Sequence, residues 1–405
     1  MKETDFVSSD LTERERKTLQ ILDTIRRVGP ISKTDISSLI GVNVVTVSNY
    51  VEDFLRQKII FEKELDVSKG GRRPVLLDLN ADSGYSIGIG INLLNAIGVV
   101  VDLRGRIIKR IQKDSPQQKS SEVIDVIISL AKELFEENRD LAPKIKGIGI
   151  GVAGIIDRER DTVRWPERSS DGLNYTLIPL PLKEIMTKEF NLPVVIDNDA
   201  TLACFGEQWL SPDAGIKNLI YMFSGVGCGI MINGEIYRGT NGCAGELSIH
   251  NDKEKNTFNC RFLRRWQIDL DMLNNLRQLV SSRPDSLLWK RCNGRPESLN
   301  LKDLFEAVQV EDEIALAVIK EAARLLGMKI AFLMNFINPQ LVIIGGGLEQ
   351  AGIHFIEEIR RVVAEWSFEE VQRVAKIIPS RLGDDAVALG AANLIVRQIF
   401  TGLKE

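Results

Sequence analysis

Hydrophobic positions in the first 60 residues repeat at helical spacing in three successive segments. The first, "LTERERKTLQILDTIRRVGP", is predicted to bury one face, formed by Leu11, Leu19, Leu22, Ile25 and Val28. Thr12 and Glu15 have the spacing of a capping box at its start, and the Gly-Pro pair ends it. The second segment, "ISKTDISSLIG", predicts a short helix between a Ser32 cap and a Gly41 stop.

The third segment, "VNVVTVSNYVEDFLRQK", predicts a helix with Asn43 as its N-cap. Five apolar residues of this helix are expected to face the other two helices: Val44, Val47, Val51, Phe54 and Leu55. Short side chains able to bond or contact bases are concentrated on the opposite face, in the first turns. A recognition helix contacts base edges with its N-terminal residues. We therefore predict a DNA-binding surface made by Asn43, Val45, Thr46, Ser48 and Asn49.

Two alternating stretches, "IIFEKELDV" and "PVLLDLN", predict a strand pair around the loop "SKGGRRP". The loop carries Lys69, Arg72 and Arg73, which would lie on phosphates or in a minor groove. Each feature alone also fits an ordinary helical domain with a solvated basic loop. The ordered series of three helices and a basic hairpin predicts a winged helix-turn-helix over residues 1–80.

Strands and helices alternate after Asn80, which predicts an α/β architecture. Two similar stretches, near residues 86 and 219, each pass from an apolar strand through a glycine turn to a second apolar strand. This similarity predicts two related halves that enclose a cleft.

The composition is that of a soluble protein of two or three domains: 405 residues, 44% hydrophobic and 27% charged. We expect a cytoplasmic protein, because no signal peptide or membrane-spanning run is found in the sequence. The five scattered cysteines do not suggest a disulfide framework. Because the net charge is −4, any DNA contact must come from a local basic patch.

Five motifs carry a family resemblance. In order they are "GGRRPVLLDLN", "GVAGIID", "IDNDA", "GVGCGIMINGEIYRGTNGCAGE" and "NPQLVIIGGG". Together they resemble the ROK family (repressors, open reading frames and kinases). The resemblance implies a winged helix-turn-helix followed by an α/β, actin-like, two-lobed domain with a sugar between the lobes. The first lobe would span residues 81–197, completed by a C-terminal helix at about 386–405, and the second residues 198–385.

The resemblance also implies a sugar site. Asp199 stands where the family has its catalytic aspartate, after Asn198, and Gly154 stands in the loop beside the sugar. Glu246 matches the glutamate of the family's Glu-x-Gly-His motif, with His250 one position late. The expected sugar-binding set is Gly154, Asn174, Asn198, Asp199, Glu246, His250 and Asp269.

The nucleotide loops depart from the family pattern. Family kinases have Asp-x-Gly-Gly-Thr in the first phosphate loop, where this chain has Gly-Ile-Asn-Leu-Leu at 90–94. No carboxylate remains there for magnesium, and two leucines would meet a triphosphate. The second loop keeps its glycines but has Phe223 in place of another. We interpret the loops as vestigial, and their glycines are Gly225, Gly227, Gly229, Gly345, Gly346 and Gly347.

The family's zinc site also departs. With one residue inserted, Cys260 matches the first zinc cysteine, but Phe262 and Gln267 replace the other two. Two ligands of four do not close a tetrahedral zinc site, so no metal and no other cofactor is expected.

The sequence therefore predicts a sugar-responsive repressor of carbohydrate-utilisation genes. Its partners would be operator DNA and a small-molecule sugar, with no membrane, and a homodimer or homotetramer would bind a palindromic operator. The alternative is an ATP-dependent sugar kinase, of glucose or N-acetylglucosamine type, in which Asp199 is the catalytic base. A DNA-bound scaffold without a ligand is a third possibility.

Overall fold

A computed structural model describes residues 11–63, 75–115, 120–168, 175–213, 215–223, 227–247 and 268–403. The helices within these ranges are α1 Glu13–Val28, α2 Lys33–Ile40, α3 Val44–Arg56, α4 Ser120–Glu137, α5 Leu182–Phe190, α6 Asp199–Trp209, α7 Ile268–Ser281, α8 Leu287–Arg291, α9 Leu301–Gln309, α10 Glu313–Ile337, α11 Ile353–Trp366, α12 Glu369–Val374 and α13 Ala386–Thr401. In these ranges no helix combines the length and the apolar character that crossing a membrane requires.

The strands are β1 Ile31–Ser32, β2 Ile60–Lys63, β3 Leu76–Leu79, β4 Tyr85–Ile91, β5 Asn95–Asp102, β6 Ile107–Asp114, β7 Ile145–Val152, β8 Ile155–Asp157, β9 Thr162–Arg168, β10 Tyr175–Leu180, β11 Val194–Asn198, β12 Leu219–Phe223, β13 Gly227–Ile232, β14 Glu235–Ile236, β15 Leu341–Gly345 and β16 Lys376–Pro379.

The first three helices begin and end where the sequence predicts. Thr12 and Glu15 form the capping box of α1, Ser32 caps α2, and Asn43 caps α3. Gly41 ends α2 in the left-handed conformation, with φ +67°. Strands β1, β3 and β2 form an antiparallel sheet behind the helices. This is the element order of a winged helix-turn-helix, with segment 64–74 outside the described residues.

Two predicted core positions of this domain are wrong. Val28 is 55% exposed and Val44 is 38% exposed, whereas Val47, Val51 and Phe54 are buried as predicted. Val28 is the last residue of α1 and Val44 the first of α3. Helical spacing identifies the face of a helix, but not how far along that face the neighbouring helix reaches.

Among the described residues after Asn80, two five-stranded sheets share one topology, and β10, β9 and β8 form a smaller antiparallel sheet. Their orders are β6-β5-β4-β7-β11 and β14-β13-β12-β15-β16. Each begins with an antiparallel meander of three strands and continues with two parallel strands. The shared topology confirms that the two halves are related.

Helix α6 follows directly from β11 and is buried along almost its whole length. It packs against α13, which also lies across β4 and β7 of the first sheet, and against β12 and β13 of the second. The helix therefore lies where both sheets meet.

Candidate functional site

The predicted sugar-binding residues Gly154, Asn198 and Asp199 lie where two parallel strands end together. Asn198 of β11 is in register with Val152 of β7, so the loops that follow the two strands are neighbours. The Asn198 side-chain amide donates to the carbonyl of Gly154 at 3.2 Å, and its oxygen accepts from the Thr201 N–H at 3.2 Å. This N-cap places Asp199 at the first position of α6. The structure thus brings Gly154, Asn198 and Asp199 together.

Asp199 is an unusually situated carboxyl group. Its side chain is buried, and its Oδ1 accepts from the Ala200 N–H at 2.7 Å. Burial is the main cause that raises the pKa of Asp199 to about 7, and the negative charge of Glu246 contributes to the same rise. A carboxyl group that titrates near neutral pH can accept a hydrogen bond or a proton from a sugar hydroxyl.

Glu246 approaches Asp199 from the second sheet. It forms an isolated antiparallel bridge with Gly227, at the start of β13, and the Cys228 N–H donates to the Gly245 carbonyl at 3.0 Å. The Glu246 side chain is exposed. A hydroxylated ligand between the two carboxyl groups would be contacted from both halves of the molecule.

Several predicted site residues stay predictions. Asn174, His250, Gly225 and the basic residues Lys69, Arg72 and Arg73 lie outside the described residues, as do Cys260, Phe262 and Gln267, on which the expected loss of the family's zinc site rests. Asp269 lies in the first turn of α7, but its side chain is likewise outside the described part.

A buried ion-pair cluster beside the sugar residues was missed by the sequence analysis. Asp197 is 3% exposed and accepts from Arg158 at 3.1 Å and from Arg238 at 2.8 and 3.0 Å. Arg158 follows β8, and Arg238 follows β14 of the second sheet, so the cluster joins the two halves next to Asn198. The feature of the sequence that could have predicted this cluster is Asp197 itself, because an acid at the end of a buried strand needs cationic partners.

The side chain of Asn92 closes the turn that follows β4. Asn92 Oδ1 accepts from the backbone N–H groups of Leu94 and Asn95 at 2.8 and 2.7 Å. The Asn92 amide donates to a carboxylate oxygen of Asp384 at 3.2 Å. Asn92 thus lies in the segment that corresponds to the phosphate loop of the family kinases. Its side-chain amide is hydrogen-bonded to Asp384.

Asp384 gathers further donors from both sides of the cleft. Its Oδ2 accepts from the Asn95 amide at 3.0 Å, and its Oδ1 accepts from the Gln350 amide at 2.8 Å. We call Asn92, Asn95, Gln350 and Asp384 the Asp384 network. An anionic carboxylate within this network would repel the phosphates of a nucleotide.

The turn after β4 contacts the glycine loop at residues 345–347. The Leu93 N–H donates to the Gly346 carbonyl at 3.4 Å, and Leu94 is 8% exposed within the core of the second sheet. A Cβ added to Gly347 would lie 3.3 Å from the Leu93 Cβ. The residues present here therefore do not fit the phosphates and magnesium of a nucleotide.

The candidate DNA-contacting residues share the N-terminal half of α3. Asn43 accepts from the Val45 N–H at 2.8 Å, and the Val45 side chain is 65% exposed. Asn49 is also exposed, whereas Thr46 and Ser48 are half-buried. The surface is polar at its centre and apolar at the exposed Val45.

The model of the ROK family matches residues 85–398. The chain belongs to the ROK family. It is 31% identical to the xylose repressor of Caldicellulosiruptor bescii, over 95% of this chain and 96% of that one. It is 28% identical to the glucokinase of Thermotoga maritima, over 75% of this chain and 94% of that one.

Solved structures show the same fold. A ROK family transcriptional regulator, a homologue of the E. coli Mlc protein, superposes with a TM-score of 0.74 at 21% identity, covering 96% of this ROK protein and 97% of that chain. A ROK family glucokinase from Streptomyces griseus, in complex with glucose and AMPPNP, gives 0.65 at 26% identity, with 77% and 99% covered. The regulator and the glucokinase share the actin-like, two-lobed fold.

Relatives of the two kinds differ in how much of this ROK protein they match. The xylose repressors of Caldicellulosiruptor bescii and Bacillus subtilis match 95% and 93% of this chain, whereas the glucokinases of Thermotoga maritima and Streptomyces coelicolor match 75% and 77% of it, over 94% and 97% of their own lengths. The family match begins at residue 85, after the winged helix-turn-helix.

Proposed function

We propose that this ROK protein is a sugar-responsive transcriptional repressor. The observation that supports the proposal is the Asp384 network, which binds the turn where a kinase of the family would hold phosphate, while Gly154, Asn198 and Asp199, the expected sugar-binding residues, lie together. Relatives named xylose repressors match it over nearly its whole length. The protein would act in the cytoplasm as a homodimer or homotetramer, with one winged helix on each operator half-site.

The sugar half of the proposal is tested by thermal unfolding of the full chain with D-xylose, D-glucose and N-acetylglucosamine, each with and without magnesium-ATP. A ligand at 100 times its Kd stabilises the fold by about 2.7 kcal/mol, which raises Tm measurably. We expect one sugar to raise Tm and magnesium-ATP to add nothing. Absence of a shift with every monosaccharide would contradict the sugar site.

The DNA half is tested with a duplex enriched by the full chain from a random library. Asn49→Ala should weaken binding to that duplex by about 1–3 kcal/mol at one base position. The double change Arg72→Ala and Arg73→Ala should weaken binding to all sequences and reduce the salt slope by about 2. Unchanged affinity and slope in the double variant would refute the wing assignment.

A sugar kinase is the second candidate, favoured by one observation: Asp199 keeps the position and the near-neutral pKa suited to a catalytic base. A coupled assay with magnesium-ATP and each of the three sugars tests it. Sugar phosphate that forms in the wild type and is abolished by Asp199→Asn would establish the kinase and overturn our ranking.

A further inference from the structure

Helix α6 reaches from the sugar side of the cleft to the DNA-binding domain. Its N-terminus is Asp199, capped by Asn198, and its C-terminus is Trp209. At 1.5 Å per residue its 11 residues span about 16 Å. Every residue of the helix except Gln208 is buried, so the helix is enclosed by protein along its length.

The C-terminus of α6 is held by two arginines of α1. Arg26 Nη2 donates to the Trp209 carbonyl at 2.8 Å, and its guanidinium lies 4.5 Å from the centre of the Trp209 ring. Arg27 donates to the carbonyls of Trp209 and Ser211 at 3.2 and 3.1 Å. Cations favour the C-terminal end of a helix, where carbonyl groups lack partners within the helix.

The arginine pair, Arg26 and Arg27, is fixed from its own side as well. The two oxygens of Asp23 accept from Arg26 at 2.7 Å and from Arg27 at 2.8 Å. Arg26 is 7% exposed. Asp23 and the Trp209 ring hold the two guanidinium groups in one arrangement. The arginine pair therefore moves with the C-terminus of α6.

Helix α1 connects the arginine pair to the recognition helix. Ile21, Leu22 and Ile25 of α1 share one hydrophobic core with Val47, Val51 and Phe54 of α3, and the same core continues into α6 through Leu202, Phe205 and Trp209. A shift of α6 therefore changes the position of α3 rather than being absorbed between loosely packed domains.

Helix α6 also contacts the closed nucleotide side. Glu207 Oε1 accepts from the Ser380 hydroxyl at 2.6 Å and from the N–H groups of Arg381 and Leu382 at 2.8 and 3.1 Å. This loop leads directly into Asp384. One buried helix thus begins at Asp199, contacts the loop of the Asp384 network through Glu207 and contacts the DNA-binding domain through Trp209.

We propose that α6 transmits occupation of the sugar site to the DNA-binding domain, and that the arginine pair is the contact through which it does so. The inference rests on the proposed function, because it assumes a sugar at Asp199 and DNA at α3. Coupling of this kind requires that the sugar bind one position of α6 more tightly than the other.

The test is a coupling ratio, defined as the Kd for DNA with saturating sugar divided by the Kd without it. It is measured on the full chain with the library-enriched duplex and whichever of D-xylose, D-glucose and N-acetylglucosamine raises Tm. Arg26→Gln with Arg27→Gln should bring the ratio to within threefold of one, while the sugar-dependent Tm shift persists. Arg16→Gln is the matched control: Arg16 lies on the exposed side of α1, and its variant should keep the wild-type ratio.

Each outcome decides between the two proposals. A wild-type ratio of one with every sugar overturns the proposed function and this inference with it. A wild-type ratio far from one that survives in the double variant overturns this inference alone. If the double variant does not fold, Arg27→Gln alone replaces it, since Arg27 lies at the rim of the contact, and a ratio unchanged in that variant refutes the arginine pair as the coupling contact.

Discussion

Asp199 and Asp384 are acidic residues on the two sides of the interlobe cleft, and their surroundings differ. Asp384 accepts from three side-chain amides, those of Asn92, Asn95 and Gln350. Asp199 is buried, with the backbone N–H of Ala200 as its hydrogen-bond donor in this structure. Donors favour the charged form of a carboxyl group, whereas burial disfavours it. Asp384 therefore stabilises the loops around it, and Asp199 is available for a ligand.

The raised pKa of Asp199 predicts a pH-dependent effect of Asp199→Asn on stability. The folded protein releases this proton at about pH 7, and the unfolded chain near the ordinary value of 3.8. Ionisation of Asp199 therefore destabilises the fold increasingly as pH rises from about 4 to 7, by on the order of a few kcal/mol. Asp199→Asn removes this penalty, so we expect it to raise Tm at pH 8 much more than at pH 5. Equal shifts at both pH values, measured in the same buffers, would show that Asp199 titrates normally.

The Asp384 network predicts a loss of stability in Asp384→Ala. Three amides would lose a carboxylate acceptor, which costs about 1–3 kcal/mol, so Tm should fall. Asp385→Ala is the control, because Asp385 makes an ion pair with Arg110 at the surface, and such pairs contribute about 0–1 kcal/mol. An Asp384→Ala variant no less stable than Asp385→Ala would mean that the network does not hold the loops together.

At the scale of elements, the close crossing of α6 and α13 fixes the position of α6. A Cβ on Gly390 of α13 would lie 1.9 Å from the Leu202 carbonyl oxygen of α6. A Cβ on Gly206 of α6 would lie 2.9 Å from the Gly390 nitrogen. Backbone lies against backbone here, which only glycine permits.

Gly390→Ala should accordingly destabilise the protein by about 1–3 kcal/mol or more, because the two helices must separate to admit a methyl group. Gly84→Ala is the matched control: its φ of −166° suits any residue, and its nearest new neighbour would be 3.4 Å away. Thermal unfolding of both variants measures the difference. Comparable Tm values for the two would contradict the close crossing.

At the scale of the whole molecule, the proposed repressor should bind DNA as a symmetric assembly. We expect light scattering to give a mass of twice, or four times, the 45.3 kDa of one chain. The protected DNA should contain two half-sites whose centres are separated by a multiple of about 10 bp.

Inserting 5 bp between the half-sites tests this arrangement, because it rotates one by half a turn of DNA. Affinity should fall sharply with 5 bp inserted and recover in part with 10 bp. Full affinity for a single half-site would show that one chain suffices.

Local features of the fold were predictable because their causes lie within a few residues. The capping residues Thr12, Ser32 and Asn43 and the stop at Gly41 form hydrogen bonds or turns with near neighbours. The duplicated strand pattern likewise predicted two matching sheets. For the candidate site, the family resemblance grouped Gly154, Asn198 and Asp199 in one expected sugar-binding set, and the structure brings these three together.

The contacts that decide how this chain works join residues far apart in sequence. By itself the sequence determined the first three helices with their caps and the two related strand patterns of the later sheets. Only the tertiary structure revealed that Asp384 accepts a hydrogen bond from Asn92. The same holds for the ion pairs of Asp197 with Arg158 and Arg238. It holds also for the hydrogen bond from Arg26 to the Trp209 carbonyl. Periodicity and capping report on neighbours along the chain, whereas these partners become neighbours only when the sheets and helices have packed.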